Sequence, residues 1–87
     1  PLYYFGGTAH LRKKNYSRAV QLLEMGKRYA QEDRLRSVFN GQLGDAYNGL
    51  KNYPKSDQAY DEALALDANN EHVLNNYSYF LTLRKEK

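Results

Sequence analysis

Eighty-seven residues suffice for one small domain with a limited core. The absence of cysteine excludes disulfides and thiolate metal sites, and no apolar run approaches the roughly eighteen residues of a membrane helix. A net charge of +3 conceals a basic half, +5 over residues 1–43, and an acidic half, −2 over residues 44–87. A basic half could meet nucleic acid or an acidic partner, although a solvated helix face accounts for it more simply.

The first predicted element is a helix from Leu2 to Lys14. Its Gly6-Gly7 pair costs about 1 kcal/mol per residue in helix propensity, so packing must compensate. A phosphate-binding loop would need more glycines, a preceding strand and a helix directly behind, none of which is present. The pair therefore marks a close helix contact. After Lys14-Asn15-Tyr16, a second helix from Ser17 to Ala30 carries Ala19, Leu22, Leu23, Gly26, Tyr29 and Ala30 on one face. Gln31 to Arg36 reads as a short insertion.

A third helix starts at Ser37 and aligns Phe39, Leu43, Ala46, Tyr47 and Leu50 at spacings of three and four. Lys51-Asn52-Tyr53-Pro54 makes the turn, with Pro54 suited to a first helical turn, where its missing N–H costs nothing. The fourth helix aligns Ser56, Ala59, Tyr60, Ala63, Leu64 and Leu66. Asn69-Asn70 reads as a cap, and Glu71 places a carboxylate at the start of the fifth helix. Val73, Leu74, Tyr77, Phe80 and Leu81 form its apolar face up to Arg84. Nine tyrosines without tryptophan suit shallow helix-pair cores, because each ring is buried while its hydroxyl stays wet.

Lys14-Asn15-Tyr16 matches Lys51-Asn52-Tyr53 at an offset of 37 residues, and Gly6-Gly7 falls opposite Leu43-Gly44. Within residues 37–70, Leu43-Gly44-x-x-Tyr47, Ala63 and the ending Asp67-x-Asn69-Asn70 span a unit of 34 residues. That unit resembles a tetratricopeptide repeat, in which Gly44 and Ala63 allow close helix approach. Four positions depart from the family pattern: Asn40 replaces a large residue, Ser56 an Ala, Tyr60 a Phe and Ala68 a Pro. The stretch LNNYSYFL resembles the form found at the end of some bacterial arrays.

The resemblance implies an all-α fold of five helices, stacked as a right-handed solenoid fragment of about two and a half repeats. Residues 1–36 would be the first repeat with its insertion, 37–70 the second, and 71–87 the first helix of a third, all in one domain. A first residue of Pro rather than Met is expected of an excised or processed segment. No signal peptide opens the chain, and the compartment stays open between cytoplasm and periplasm.

Little in the chain points to chemistry. His10 and His72 lack acidic or histidine neighbours at metal-ligand spacing, and Ser17, Ser37, Ser56 and Ser78 sit in no nucleophile motif. Asp57, Asp61 and Glu62 are expected to face solvent rather than a cleft. No enzyme activity, cofactor or metal is expected. Arg12, Lys13, Lys14 and Arg18 surround Tyr16, a combination that can clamp a nucleic-acid backbone and stack a base. The repeat pattern instead assigns Tyr16 to packing at the turn.

By resemblance, the first helices line a concave groove that binds a peptide or helix of a partner protein, making the chain a non-catalytic interaction scaffold. The implied groove residues are Tyr4, Thr8, Leu11 and Arg12, then Gln42, Asp45 and Asn48, then His72, Asn76 and Tyr79. A carboxylate clamp of the kind some members use is not matched at Tyr4, Thr8, Gln42, His72 and Asn76. The alternatives are a structural spacer or oligomerisation segment, and nucleic-acid binding by the basic half. Self-association is expected through Val73, Leu74, Tyr77, Phe80 and Leu81, which the missing next helix would leave partly uncovered.

Overall fold

Hydrophobic periodicity near 3.6 resolves into helices throughout a computed structural model that describes residues 2–85, with side chains described from Gly6 onward. Among these residues the chain forms five α-helices and no strand: α1 (Leu2–Arg12), α2 (Tyr16–Tyr29), α3 (Asp33–Gly49), α4 (Tyr53–Leu66) and α5 (Glu71–Lys85).

One expected boundary is corrected. α3 begins at Asp33, a turn before Ser37, so most of the expected insertion Gln31–Arg36 is helical. The Arg36 N–H donates to the Glu32 carbonyl at 2.9 Å. Asp33 lies in the first turn, where the helix dipole favours a carboxylate. Asn70 caps α5: its Oδ1 accepts from the Val73 N–H at 3.2 Å while its amide donates to Ser37 Oγ at 2.9 Å. One side chain thereby starts a helix and ties it to α3.

The internal offset recurs in backbone detail. Lys14 and Lys51 both adopt left-handed conformations, with φ of 60° and 62°. The N–H of Asn15 donates to His10 O at 2.8 Å, and that of Asn52 to Tyr47 O at 2.9 Å. A Cβ on Gly7 would meet the Leu23 side chain, and one on Gly44 would overlap the Tyr60 ring, which occupies the position of Leu23 in the second pair. Both α1–α2 and α3–α4 thus close at a glycine opposite a large side chain.

α1 packs on α2, α3 on α4, α2 also on α3, and α4 on α5; α1 and α5 each flank α3. Helices α1, α3 and α5 therefore lie side by side in one layer, and α2 and α4 in a second. The smallest dimension, 18 Å in a body of 37 × 27 × 18 Å, suits two helix layers spaced by 8–10 Å. Ala19, Leu23, Phe39, Leu43, Ala46 and Ala59 form one buried cluster, and Tyr60, Ala63 and Val73 a second.

Leu50 and Tyr29 depart from their expected core faces. Both lie at helix ends and remain 43% and 65% exposed. Ser56 turns its departure from the repeat pattern to use, donating its hydroxyl to the Gly44 carbonyl at 2.8 Å across the α3–α4 contact. Asn40 is fully buried, and its Oδ1 lacks a hydrogen-bond partner among the described residues.

The apolar face of α5, expected to be partly uncovered, is covered at some positions and open at others. Val73 is fully buried, and Tyr77 and Phe80 are partly buried against the second cluster, with Tyr77 stacked on Tyr60 at 4.9 Å between centroids. Leu74 and Leu81 remain exposed. α5 turns the first three residues inward because Tyr60 and Ala63 of α4 offer them a surface.

Candidate functional site

The layer of α1, α3 and α5 carries an open depression lined by Thr8, Leu11 and Arg12 of α1, Gln42 and Asp45 of α3, and Asn76 of α5. Tyr16 and Phe80 complete its wall. Spacing explains the selection: Thr8, Leu11 and Arg12 share one helical face, as do Gln42 and Asp45. The structure thus brings six of the ten expected groove residues to one concavity.

The other four distribute differently. His72 joins Gln42 in an adjacent hollow with Val38 and Asn70. Asn48 lies in a separate hollow with Tyr53, Phe80, Leu83 and Arg84. Tyr79 is 60% exposed and packs edge-on against Phe80 at 5.4 Å, lining neither hollow nor depression. The side chain of Tyr4 lies outside the described residues.

Asp45 is the centre of the site. Its Oδ1 accepts from the Tyr60 hydroxyl and from the Asn76 amide, the latter at 2.9 Å, while Oδ2 meets His72 Nε2 at 2.6 Å. Helices α3, α4 and α5 therefore meet at one carboxylate. His72 and Asn76 stand four residues apart, so both reach Asp45 from one face of α5. The hydrogen bond to Asp45 raises the His72 pKa above its ordinary value; half burial opposes the rise and the carboxylate charge adds to it. Burial, followed by the Asp45 charge, pushes the Tyr60 phenol far above its usual range, so it remains a neutral donor.

Arg12 is exposed and has no ion-pair partner among the described residues. The depression thus offers one uncommitted cation, the Thr8 hydroxyl, the Gln42 amide and the apolar walls of Leu11 and Phe80. Thr8 Oγ1 is buried without a partner among the described residues.

Tyr16, the residue that a base would have to stack upon, packs its ring on the backbone of Gly49, where a Cβ would overlap it. That contact joins the first turn to α3 and escaped the sequence reading, although Gly49 stood in plain view next to Leu50. Asp61 and Glu62 of α4 are exposed, as expected, Asp57 is partly buried, and all three acids have partners on other helices. Asp57 holds Arg84 in a two-pronged ion pair at 2.6 and 3.2 Å, and Glu62 lies 3.8 Å from Lys27. Asp61 hydrogen-bonds Tyr77, which, with burial as the larger cause, pushes that phenol up to about 12. They bind neighbouring helices because α5 and α2 bring cations and a phenol alongside. Arg84 in turn lies over the Tyr53 ring at 5.2 Å.

On the other layer, Tyr47 donates to Glu24 at 2.9 Å, and burial together with that bond pushes its pKa up to about 12. Lys27 pairs with Glu24 at 3.3 Å there, so this hollow is lined by charges already matched. Among the described residues, no group of three or more His, Cys, Asp or Glu side chains is arranged to hold a metal ion, and no helix is long and apolar enough to cross a membrane.

No protein-family model matches the chain, and comparison with curated proteins and with solved structures found no match.

Proposed function

We propose that the chain is a non-catalytic interaction scaffold of the tetratricopeptide-repeat type, binding a peptide or helix of a partner protein in the depression on α1, α3 and α5. One observation carries this reading: Thr8, Leu11, Arg12, Gln42, Asp45 and Asn76, drawn from three helices, line one concave surface. The helix-pair geometry repeated at Gly7 and Gly44 supports the family assignment, because close approach at a small residue is what such stacking requires. A surface built from three helices suits an extended or helical ligand lying across them.

Arg12 and Gln42 are the best probes, being side chains of the depression with no side-chain hydrogen bond among the described residues. Arg12→Ala combined with Gln42→Ala should leave helicity unchanged by circular dichroism. It should weaken the tightest peptide selected from a displayed library by about 2 kcal/mol, roughly thirtyfold. The matched control, Lys55→Ala with Gln58→Ala on the exposed side of α4, should leave that affinity unaltered. Equal loss in both variants, or loss in the control alone, rejects the groove. A library yielding no binder to any version favours the spacer reading instead.

Nucleic-acid binding by Arg12, Lys13, Lys14 and Arg18 is the second reading, and the engagement of the Tyr16 ring with Gly49 counts against it. Binding of a single-stranded oligonucleotide that weakens steeply with added salt would restore it.

A further inference from the structure

α5 is attached to the molecule by few contacts. Val73 is the one fully buried side chain it contributes among the described residues. Tyr77 stacks on Tyr60, and Arg84 grips Asp57 at the far end. At the near end the attachment is polar and converges on Asp45.

The protons at that junction can be placed by elimination. A carboxylate oxygen only accepts, so His72 Nε2, at 2.6 Å from Asp45 Oδ2, carries a hydrogen. The Asn76 amide nitrogen, 3.3 Å from the same Nε2, is a second donor there and gives its hydrogen to Asp45 Oδ1. The remaining ring nitrogen, Nδ1, is where His72 gains or loses charge. With Nδ1 protonated, the contact is a charge-assisted hydrogen bond, about twice as strong as its neutral counterpart.

The surroundings leave Asp45 in control of that proton. From α3, His72 faces the Asp45 carboxylate together with uncharged Val38 and Gln42. From α4, the Tyr60 phenol reaches the other carboxylate oxygen and stays neutral. From α1, Arg12 lines the depression that Asp45 shares. On its own helix the neighbouring acid is the exposed Glu71, and Asn76 is neutral. The only ion pair that Asp45 makes among the described residues is with His72.

We propose that Asp45, His72 and Asn76 form a pH-sensitive latch, in which a protonated His72 tightens α5 onto α3 and a neutral one loosens it. The latch belongs to the chain itself and does not depend on any partner. Since the bond to Asp45 raises the His72 pKa above 6.5, the added hold is complete below 6.5 and fades as pH rises through the raised value. Loosening therefore belongs to the alkaline side of 6.5. Because Asp45 and Asn76 also line the depression, its α5 wall would move with pH.

Nuclear magnetic resonance on the intact chain tests this. The His72 ring should titrate with a midpoint above the ordinary value near 6.5, and Asp45→Asn should bring the midpoint down. Amides of α5, corrected for intrinsic exchange and referenced to α3, should exchange about threefold or more faster at about pH 8.5 than at about pH 5.5. His72→Gln, which keeps a neutral donor, should abolish that difference, and His10→Gln should retain it. An unchanged difference in His72→Gln overturns the latch, as does a wild-type midpoint at or below 6.5. Both readouts stand even where Asp45→Asn fails to fold.

Discussion

Gly44 and Tyr60 show how much a single atom decides in so thin a molecule. The Tyr60 ring lies where a side chain on residue 44 would begin, and the same ring stacks on Tyr77 and sends its hydroxyl to Asp45. Gly44→Ala should therefore overpack the α3–α4 contact and cost about 1–3 kcal/mol, despite the better helix propensity of alanine. Leu43→Ala, one residue earlier and fully buried, opens a cavity instead and should cost about 2–5 kcal/mol. Urea unfolding followed by circular dichroism measures both. Retention of the wild-type midpoint in Gly44→Ala would mean that Tyr60 packs elsewhere. Domain stability is only roughly 4–13 kcal/mol at this length, so either substitution removes a large share.

At the scale of elements, the two turns inside the helix pairs solve one problem twice. A left-handed lysine followed by an asparagine reverses the chain at Lys14-Asn15 and at Lys51-Asn52, with matching backbone hydrogen bonds on both sides. Left-handed backbone strains any residue with a Cβ, and β-branched residues most. Lys51→Val should thus cost about 1–2 kcal/mol, whereas Lys51→Gly should not destabilise. The same pair of substitutions at Lys14 should rank in the same order. If Val and Gly at position 51 melt together, the turn geometry is wrong. That strain is accepted because the turn lets Tyr16 reach Gly49 and sets Tyr53 beneath Arg84, so each turn also braces the helix that follows its pair.

Across the whole molecule, stability is unevenly distributed. α3 sits at the centre, touching all four other helices and contributing Ser37, Phe39, Asn40, Gly41, Leu43, Gly44 and Ala46 to the interior. α5 contributes Val73 alone. Helix formation this short depends on tertiary packing, so α5 should open before the α3–α4 pair does. Arg84→Met removes the grip on Asp57, a partly exposed pair of modest worth, and should raise amide exchange throughout α5 while leaving α3 and α4 unchanged. Uniform acceleration across the molecule would show that α5 is part of the global unfolding unit. The result bears on the depression too, since Asn76 supplies its α5 side.

Periodicity determined the five helices by itself, because an apolar stripe at spacings of three and four has one stable regular conformation in water once it is buried. The offset of 37 residues likewise exposed the doubled helix pair, since Lys-Asn-Tyr and the small residues Gly7 and Gly44 serve local or nearest-neighbour contacts. What escaped the sequence depends on atoms distant along the chain. Asp33–Arg36 reads as an insertion until helix α3 is seen to extend through it. Which part of the α5 apolar face is covered, Val73 fully and Tyr77 and Phe80 in part, depends on Tyr60 and Ala63. Asp57 reads as solvent-facing until Arg84 is brought to it. Helical phase says which residues share a face, but not which neighbour that face meets. The convergence of His72, Asn76 and Tyr60 on Asp45 joins three helices, and only their packing decided it.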